Sequence, residues 1–284
     1  MAGVSMKDIK LRIKSMESTK QITKAMEMVA ASKLRKAQNR AIASRPYFET
    51  LYSTFTDIAG NIQDFSSPYT QKRPVKKSCY IVIAGDRGLA GGYNSNILKL
   101  VYGQMEGKDV CVLPIGKKAV EFFRFRKVPI ISEAYAEAAD ITIGDCFTMA
   151  KLLSKEFLKG EFDELILGYT NFVSMLSQSP ATLPMLPLDS IGKKQTNDQI
   201  GLLTTYEPDP VSVFNAIIPE YLGGVIYGAL AESVASEQAA RRTAMDSATK
   251  NAEEMIAGLS LKYNRARQGA ITQEITEIVA GSDQ

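Results

Sequence analysis

The glycine-rich stretch at residues 85–96, GDRGLAGGYNSN, has the residue types best suited to chemistry. Glycines between a strand and a helix let backbone amides close on a phosphate at the helix N-terminus. The spacing argues against that use: Gly85, Gly88 and Gly91 run G-x-x-G-x-x-G rather than G-x-G-x-x-G, and neither Gly107-Lys108 nor Gly116-Lys117 stands in a P-loop. A structural tight turn is the plainer reading, with nucleotide binding as the alternative. The sequence holds no histidine, the side chain most used for general acid–base work near neutral pH and for holding transition metals. Ser-His-Asp and Cys-His nucleophiles and His-metal sites are excluded with it. Cys79, Cys111 and Cys146 are odd in number and widely spaced, so neither a disulfide framework nor a zinc site follows, and a reducing compartment fits. No cofactor and no metal are expected.

The loop lies where short apolar runs alternate with helical stretches. Strands are predicted at 78–84, 110–115, 129–132 and 164–170, with a further extended run at 182–188, and helices at 94–105, 117–126 and 146–158. That alternation implies βαβ units and a mostly parallel sheet, so residues 76–206 read as a Rossmann-like α/β domain. The polar residues 189–201 read as a loop.

Two long helical segments flank this domain. Residues 5–45 contain neither proline nor glycine, and Ser5 with Asp8 resembles a capping box. Ile9, Ile13 and Met16, then Ile22, Met26, Val29 and Leu34, predict one buried face, and the step from Met16 to Ile22 breaks a strict heptad. Pro46 is expected to kink or restart the helix before 47–62. A second helix is expected from the Asp209-Pro210 cap to about residue 281, delayed or kinked at Pro219. Met245, Ala248, Ala252, Met255 and Leu259 predict its seam. The shaft segments are thus 1–62 and 209–284, paired as an antiparallel two-helix coiled coil around the α/β domain. The second outreaches the first by ~20 residues, roughly 30 Å. This overhang, 262–281, carries Ile271, Ile275 and Ile278, an aggregation liability unless something surrounds it.

The 284 residues, 45% hydrophobic and 23% charged, suffice for a core plus an elongated part and rule out wholesale disorder and collagen-like repeats. No unbroken apolar run approaches the ~18 residues of a membrane span, and the first residues lack the apolar stretch of a secretory signal. The net charge of +3 is uneven: residues 1–50 hold eleven Lys/Arg against four Asp/Glu, residues 211–284 six against nine. A basic first helix could pair with an acidic last one or meet nucleic acid, but it has a sustained apolar seam and few aromatics for base stacking.

Three segments, ITKAMEMVAASKLRKAQ (22–38), SEQAARRTAM (236–245) and YNRARQGAITQEITEIVAG (263–281), resemble the gamma subunits of F-type ATP synthases, as do GDRGLAGGYNSN and YEPDP (206–210). Gly281-Ser282 stands where the family's signature ends in Gly-Ala. The resemblance implies a non-catalytic rotor: a shaft inside a hexamer of alpha and beta subunits, and an α/β foot on the membrane ring of c subunits beside the epsilon subunit. Proton flow turns the ring, and contact with the membrane is peripheral, at the cytoplasmic face of a bacterial cell. It implies that Met26 meets the moving part of a beta subunit. Arg267 and Gln268, with Thr272 and Glu274, contact the hexamer, and Tyr206 and Glu207 contact the c ring and epsilon. On their own, Met26 reads as coiled-coil core, Arg267 and Gln268 as an exposed helix face, and Tyr206 and Glu207 as turn residues.

Overall fold

The computed structural model describes residues 5–60, 67–188 and 206–282. The predicted loop at 189–201 lies outside them. Two compact units divide the chain: helix residues up to Ala31 together with those from Arg241 onwards, and Ser32–Ala240. Each terminal helix contributes to both.

In the larger unit β1 (Lys77–Ile83) lies between β2 (Asp109–Ile115) and β3 (Glu164–Phe172), parallel to both. β4 (Gln178–Leu186) closes the order β2-β1-β3-β4 antiparallel to β3. Pro180 and Pro184 fall on this edge strand, where a missing amide donor is tolerated. Residues 129–132 do not form the strand expected there. Only the bridge Val112–Ile130 appears, through bonds from Val112 N to Pro129 O and from Ile131 N to Val112 O, both 2.9 Å.

Side chains alternate across the central strands, so both sheet faces are apolar, as a covered parallel sheet requires. Tyr80, Val82 and Val112 point to α2 (Tyr93–Met105) and α3 (Lys117–Phe125), meeting Ile97, Val101 and Phe123. Ile81, Ile83, Leu113 and Leu167 point to the other side, where α4 (Ile143–Lys159) supplies Met149, Leu153 and Phe157 and the final helix supplies Phe214, Ile218 and Leu222. α4 starts three residues before its predicted position because Thr142 and Asp145 form a reciprocal capping box.

α1 (Met6–Gly60) runs unbroken through Pro46, so the predicted restart does not occur. Proline removes its own donor and crowds the carbonyl four residues before it, a local cost. The following turns are held because Ile58, fully buried, anchors the helix in the sheet's core, and Thr50 Oγ1 bonds the Pro46 carbonyl at 2.9 Å. α5 (Pro210–Ser282) likewise passes through Pro219, after Asp209 caps it by accepting from Ser212 N at 2.9 Å. An 18-residue stretch of α5 is apolar enough by length and composition to cross a membrane, although no apolar run of that length is unbroken; 44% of the stretch is buried within the protein. Gly223 lets α5 touch α4, since a Cβ there would stand 2.3 Å from Phe147 Cδ1 and 3.1 Å from its Cα.

In the smaller unit Ile9, Ile13, Met16, Lys20, Thr23, Glu27 and Ala30 are buried or half-buried at alternating steps of four and three. Arg242, Met245, Thr249, Ala252, Ile256, Leu259, Tyr263, Ala266 and Ala270 answer in the same rhythm. The heptad is therefore not broken after Met16: polar Lys20, Thr23 and Glu27 occupy the seam. Ile22, Val29 and Met255, predicted inside it, are 57%, 56% and 53% exposed. Thr23 Oγ1 and Thr249 Oγ1 share a 2.7 Å hydrogen bond, and Lys20 Nζ meets Glu253 Oε1 at 2.8 Å, so the helices run antiparallel.

Two outcomes follow for the full-length chain in denaturant melts. Gly223→Ala should cost ~1–3 kcal/mol by overpacking, whereas Gly258→Ala should gain ~0.5–1 kcal/mol of helix propensity. Gly258 faces open space. A destabilising Gly258→Ala, or a neutral Gly223→Ala, would contradict this packing. Thr23→Val and Thr249→Val should each cost about 1 kcal/mol, and the double variant less than their sum by roughly 0.5 kcal/mol or more. Strict additivity would mean the two hydroxyls are not bonded.

Candidate functional site

The glycine-rich loop is closed on itself. Asn94 Oδ1 accepts from Gly85 N at 2.8 Å, and Asn94 Nδ2 donates to Arg87 O at 3.1 Å. Asp86 accepts from Ala138 N at 2.9 Å and Ala139 N at 3.3 Å, tying the loop to the segment before α4. Glu237, buried on α5, fills the remaining space: a Cβ on Gly85 would stand 2.7 Å from Glu237 Oε1. The Gly85 amide is thus taken by Asn94, and the carboxylate beside Gly85 repels phosphate. The tight-turn reading fits this geometry. Glu237 escaped notice in the sequence, where its signal is a single acid in a buried, alanine-rich stretch.

Among the described residues no cluster of three or more His, Cys, Asp or Glu side chains is arranged to hold a metal ion. The three thiols are buried and free. Cys79 and Cys111 face each other across β1 and β2, and their hydrogen bond together with burial holds the Cys79 thiol well above its ordinary value. Burial pushes Cys146 up to about 12. Neither is an available nucleophile.

Met26 is half-buried beside the seam position Glu27, within the turns joined by the Thr23–Thr249 bond. It is not brought near Arg267, which lies about 20 residues, roughly 30 Å, further along α5 than the turns opposite Met26. The seam of α5 lasts to Ala270, and every described side chain from Ile271 to Ile278 is exposed. The unaccompanied end thus begins at Ile271, later than the predicted 262. Ile271, Ile275 and Ile278 are 47%, 57% and 71% exposed.

Arg267, Gln268, Thr272 and Glu274 are all exposed. Arg267, Ile271, Glu274 and Ile278 share one face by their three- and four-residue steps, and Gln268 and Thr272 share the adjoining one. Thr272 Oγ1 donates to Gln268 O at 2.9 Å, and Thr276 Oγ1 to Thr272 O at 2.8 Å. The face therefore offers a cation, an anion, amides, hydroxyls and isoleucines together. That is equipment for binding a protein surface rather than for a reaction. In the larger unit, Tyr206 is half-buried against the core and Glu207 is exposed, just before the Asp209 cap.

The family model described as ATP synthase matches residues 5–283. The ATP synthase gamma chain of Ruminococcus albus is 48% identical over 286 residues, covering 98% of each chain. The "ATP synthase gamma chain, sodium ion specific" of Acetobacterium woodii is 41% identical over 296 residues, again covering 98% of each. Among solved structures, a chain of the Tetrahymena thermophila mitochondrial ATP synthase central stalk and c-ring gives a TM-score of 0.60 at 24% identity, over 80% of this chain and 99% of that one. A chain of the Euglena gracilis mitochondrial ATP synthase gives 0.65 at 17% identity, over 97% and 92%. These two likenesses speak for the fold, and the sequence matches over nearly the whole length place the chain in the ATP synthase gamma-chain family.

Proposed function

We propose that the chain is the non-catalytic rotor of an F-type ATP synthase, coupling proton-driven rotation of the c ring to conformational cycling of the alpha/beta hexamer. One observation carries the mechanical part of this reading: an antiparallel helix pair with a continuous heptad seam ends in turns of α5 whose every described side chain is exposed. A seam resists bending, and exposed turns meet other chains. Rotation needs the shaft to present different chemistry to each catalytic subunit, so that their nucleotide affinities are shifted out of step. The sides of this helix pair differ: Lys24, Met28 and Val29 are exposed on α1, and Lys250, Glu254 and Met255 on α5.

In this reading residues 1–62 and 209–284 are the shaft and 76–206 the foot. Met26 meets the moving part of a beta subunit, and Arg267, Gln268, Thr272 and Glu274 contact the hexamer. Tyr206 and Glu207, at the corner before α5, meet the c ring and the epsilon subunit. The chain is held peripherally at the cytoplasmic face of a bacterial membrane through these partners. The exposure of Arg267, Gln268, Thr272 and Glu274, and of Glu207, supports this assignment. The sealed glycine-rich loop weighs against the alternative, a nucleotide-binding α/β protein with helical arms.

The test is Arg267→Ala combined with Gln268→Ala. Exposed helix positions usually alter stability by no more than about 0.5 kcal/mol, so helix content and melting of the isolated chain should stay nearly unchanged. A charge-assisted hydrogen bond is worth ~1.5–3 kcal/mol, so ATP hydrolysis and synthesis by the assembled complex should fall by one to two orders of magnitude. Wild-type turnover in the assembled variant would remove both residues from the contact set. A large loss of stability in the isolated chain would assign them a structural role instead.

A further inference from the structure

A cavity of about 260 Å³ opens in the larger unit between α1, α5 and the 3-10 turn Ala138–Asp140. Its floor is apolar, made by Tyr227, Leu230 and Val234 of α5 with Ile141. One rim carries Lys33, Lys36 and Arg40, which three- and four-residue steps bring onto one face of α1. None of these three cations has a carboxylate partner among the described residues. The fourth feature is Gln238. It lines the cavity, and its side chain makes no hydrogen bond among the described residues, so the carboxamide is available to a ligand there. Asp140 also lines the cavity, so an anionic head is favoured only beside the α1 cations.

The geometry points to a binding site for a small amphipathic organic anion. A phosphate ester or carboxylate head lies toward Lys33, Lys36 and Arg40, a compact apolar body rests on Leu230 and Val234, and the Gln238 carboxamide hydrogen-bonds the ligand's polar atoms. At roughly 30 Å³ for each water-sized group, the volume holds on the order of nine non-hydrogen atoms, the size of a substituted benzene or a short acyl chain. An aromatic body would also lie along the Tyr227 ring. Because the cations stand at the rim, binding should weaken as salt rises.

Calorimetric titration of the full-length chain with phenyl phosphate, with octanoate and with inorganic phosphate tests this site. The expected result is one saturable site for phenyl phosphate or octanoate, and the tighter of the two identifies the head group as a phosphate ester or a carboxylate. Lys36→Gln combined with Arg40→Gln should weaken that binding at least tenfold. Gln238→Leu, which keeps the volume and removes the carboxamide, should also weaken it. The rim variants lie on an exposed helix face, so they keep the test decisive even if Gln238→Leu does not fold. Inorganic phosphate binding as tightly as phenyl phosphate would overturn the proposal, because the apolar floor would then contribute nothing. Binding that the rim variants leave unchanged, or no saturation by any of the three up to about 10 mM, would overturn it equally.

Discussion

The seam between the terminal helices is the constraint on which the smaller unit depends. Large apolar residues fill part of it, Ile9, Ile13 and Met16 on α1 and Met245, Ile256, Leu259 and Tyr263 on α5, but Thr23, Ala30, Thr249, Ala252, Ala266 and Ala270 are small. Small side chains let two helices approach closely, but each buries little apolar surface and stabilises little. Rigidity must then come from repetition over many turns, and the unbroken alternation of three- and four-residue steps supplies it. The polar seam residues add specificity. The Thr23–Thr249 bond forms only in one register, and sliding either helix would leave two hydroxyls buried without each other. The exposed Lys20–Glu253 pair adds little energy, since surface ion pairs are worth ~0–1 kcal/mol, but it favours the same register.

The larger unit keeps the layout of a nucleotide fold but crowds the turn where a phosphate would sit. Its three parallel strands and the glycine-rich turn before α2 have the layout of a phosphate site. The final helix changes the outcome. α5 packs across the sheet as part of the core, and its Glu237 and Ser236 reach the strand ends: Glu237 borders Gly85, and Ser236 Oγ donates to Thr170 O at 3.2 Å. The space a ligand would take is filled by the chain's own C-terminal segment. Fold and function separate at that residue.

Much of this was legible in the sequence because period and punctuation carry it. The three parallel strands, α2 and α3 lie within a residue or two of the segments that the apolar runs predict, and α5 starts at Asp209-Pro210 as expected. The glycine spacing alone spoke for a turn. The errors have a common cause: judging burial by hydrophobicity. Ile22 and Val29 drew the seam out of phase because the true positions hold Lys20, Thr23 and Glu27, and whether a lysine or glutamate faces a neighbouring helix depends on the partner's residues. Pro46 misled because its cost is local while the anchor that outweighs it, Ile58, lies twelve residues on and packs against strands distant in sequence. The contacts to other chains expected at Arg267 rest on family resemblance alone, since an exposed arginine there has no spacing that distinguishes it from any solvated helix residue.

The end of α5 has a different source of order from the rest of the shaft. Beyond Ala270 no seam accompanies it, and its hydrogen bonds are local: Thr272 and Thr276 bond back to carbonyls one turn earlier, and Gln273 Nε2 donates to Glu277 Oε1 at 2.9 Å. Helix nucleation is unfavourable by a factor of about 10⁻³, whereas propagation from an existing helix is near neutral, with s ≈ 1–1.6. These turns therefore exist as an extension of the seam-held helix and have little stability of their own. A surface that touches Ile271, Glu274 or Ile278 supplies the missing burial and stabilises the helical state at the same time. Contact and order at this end are thermodynamically linked, so a partner that binds only the helical form tightens it, and a partner that withdraws lets it fray. In the proposed rotor, the stiff part of the shaft would fix where such a contact is made, and the marginal part would make its strength depend on which partner faces it.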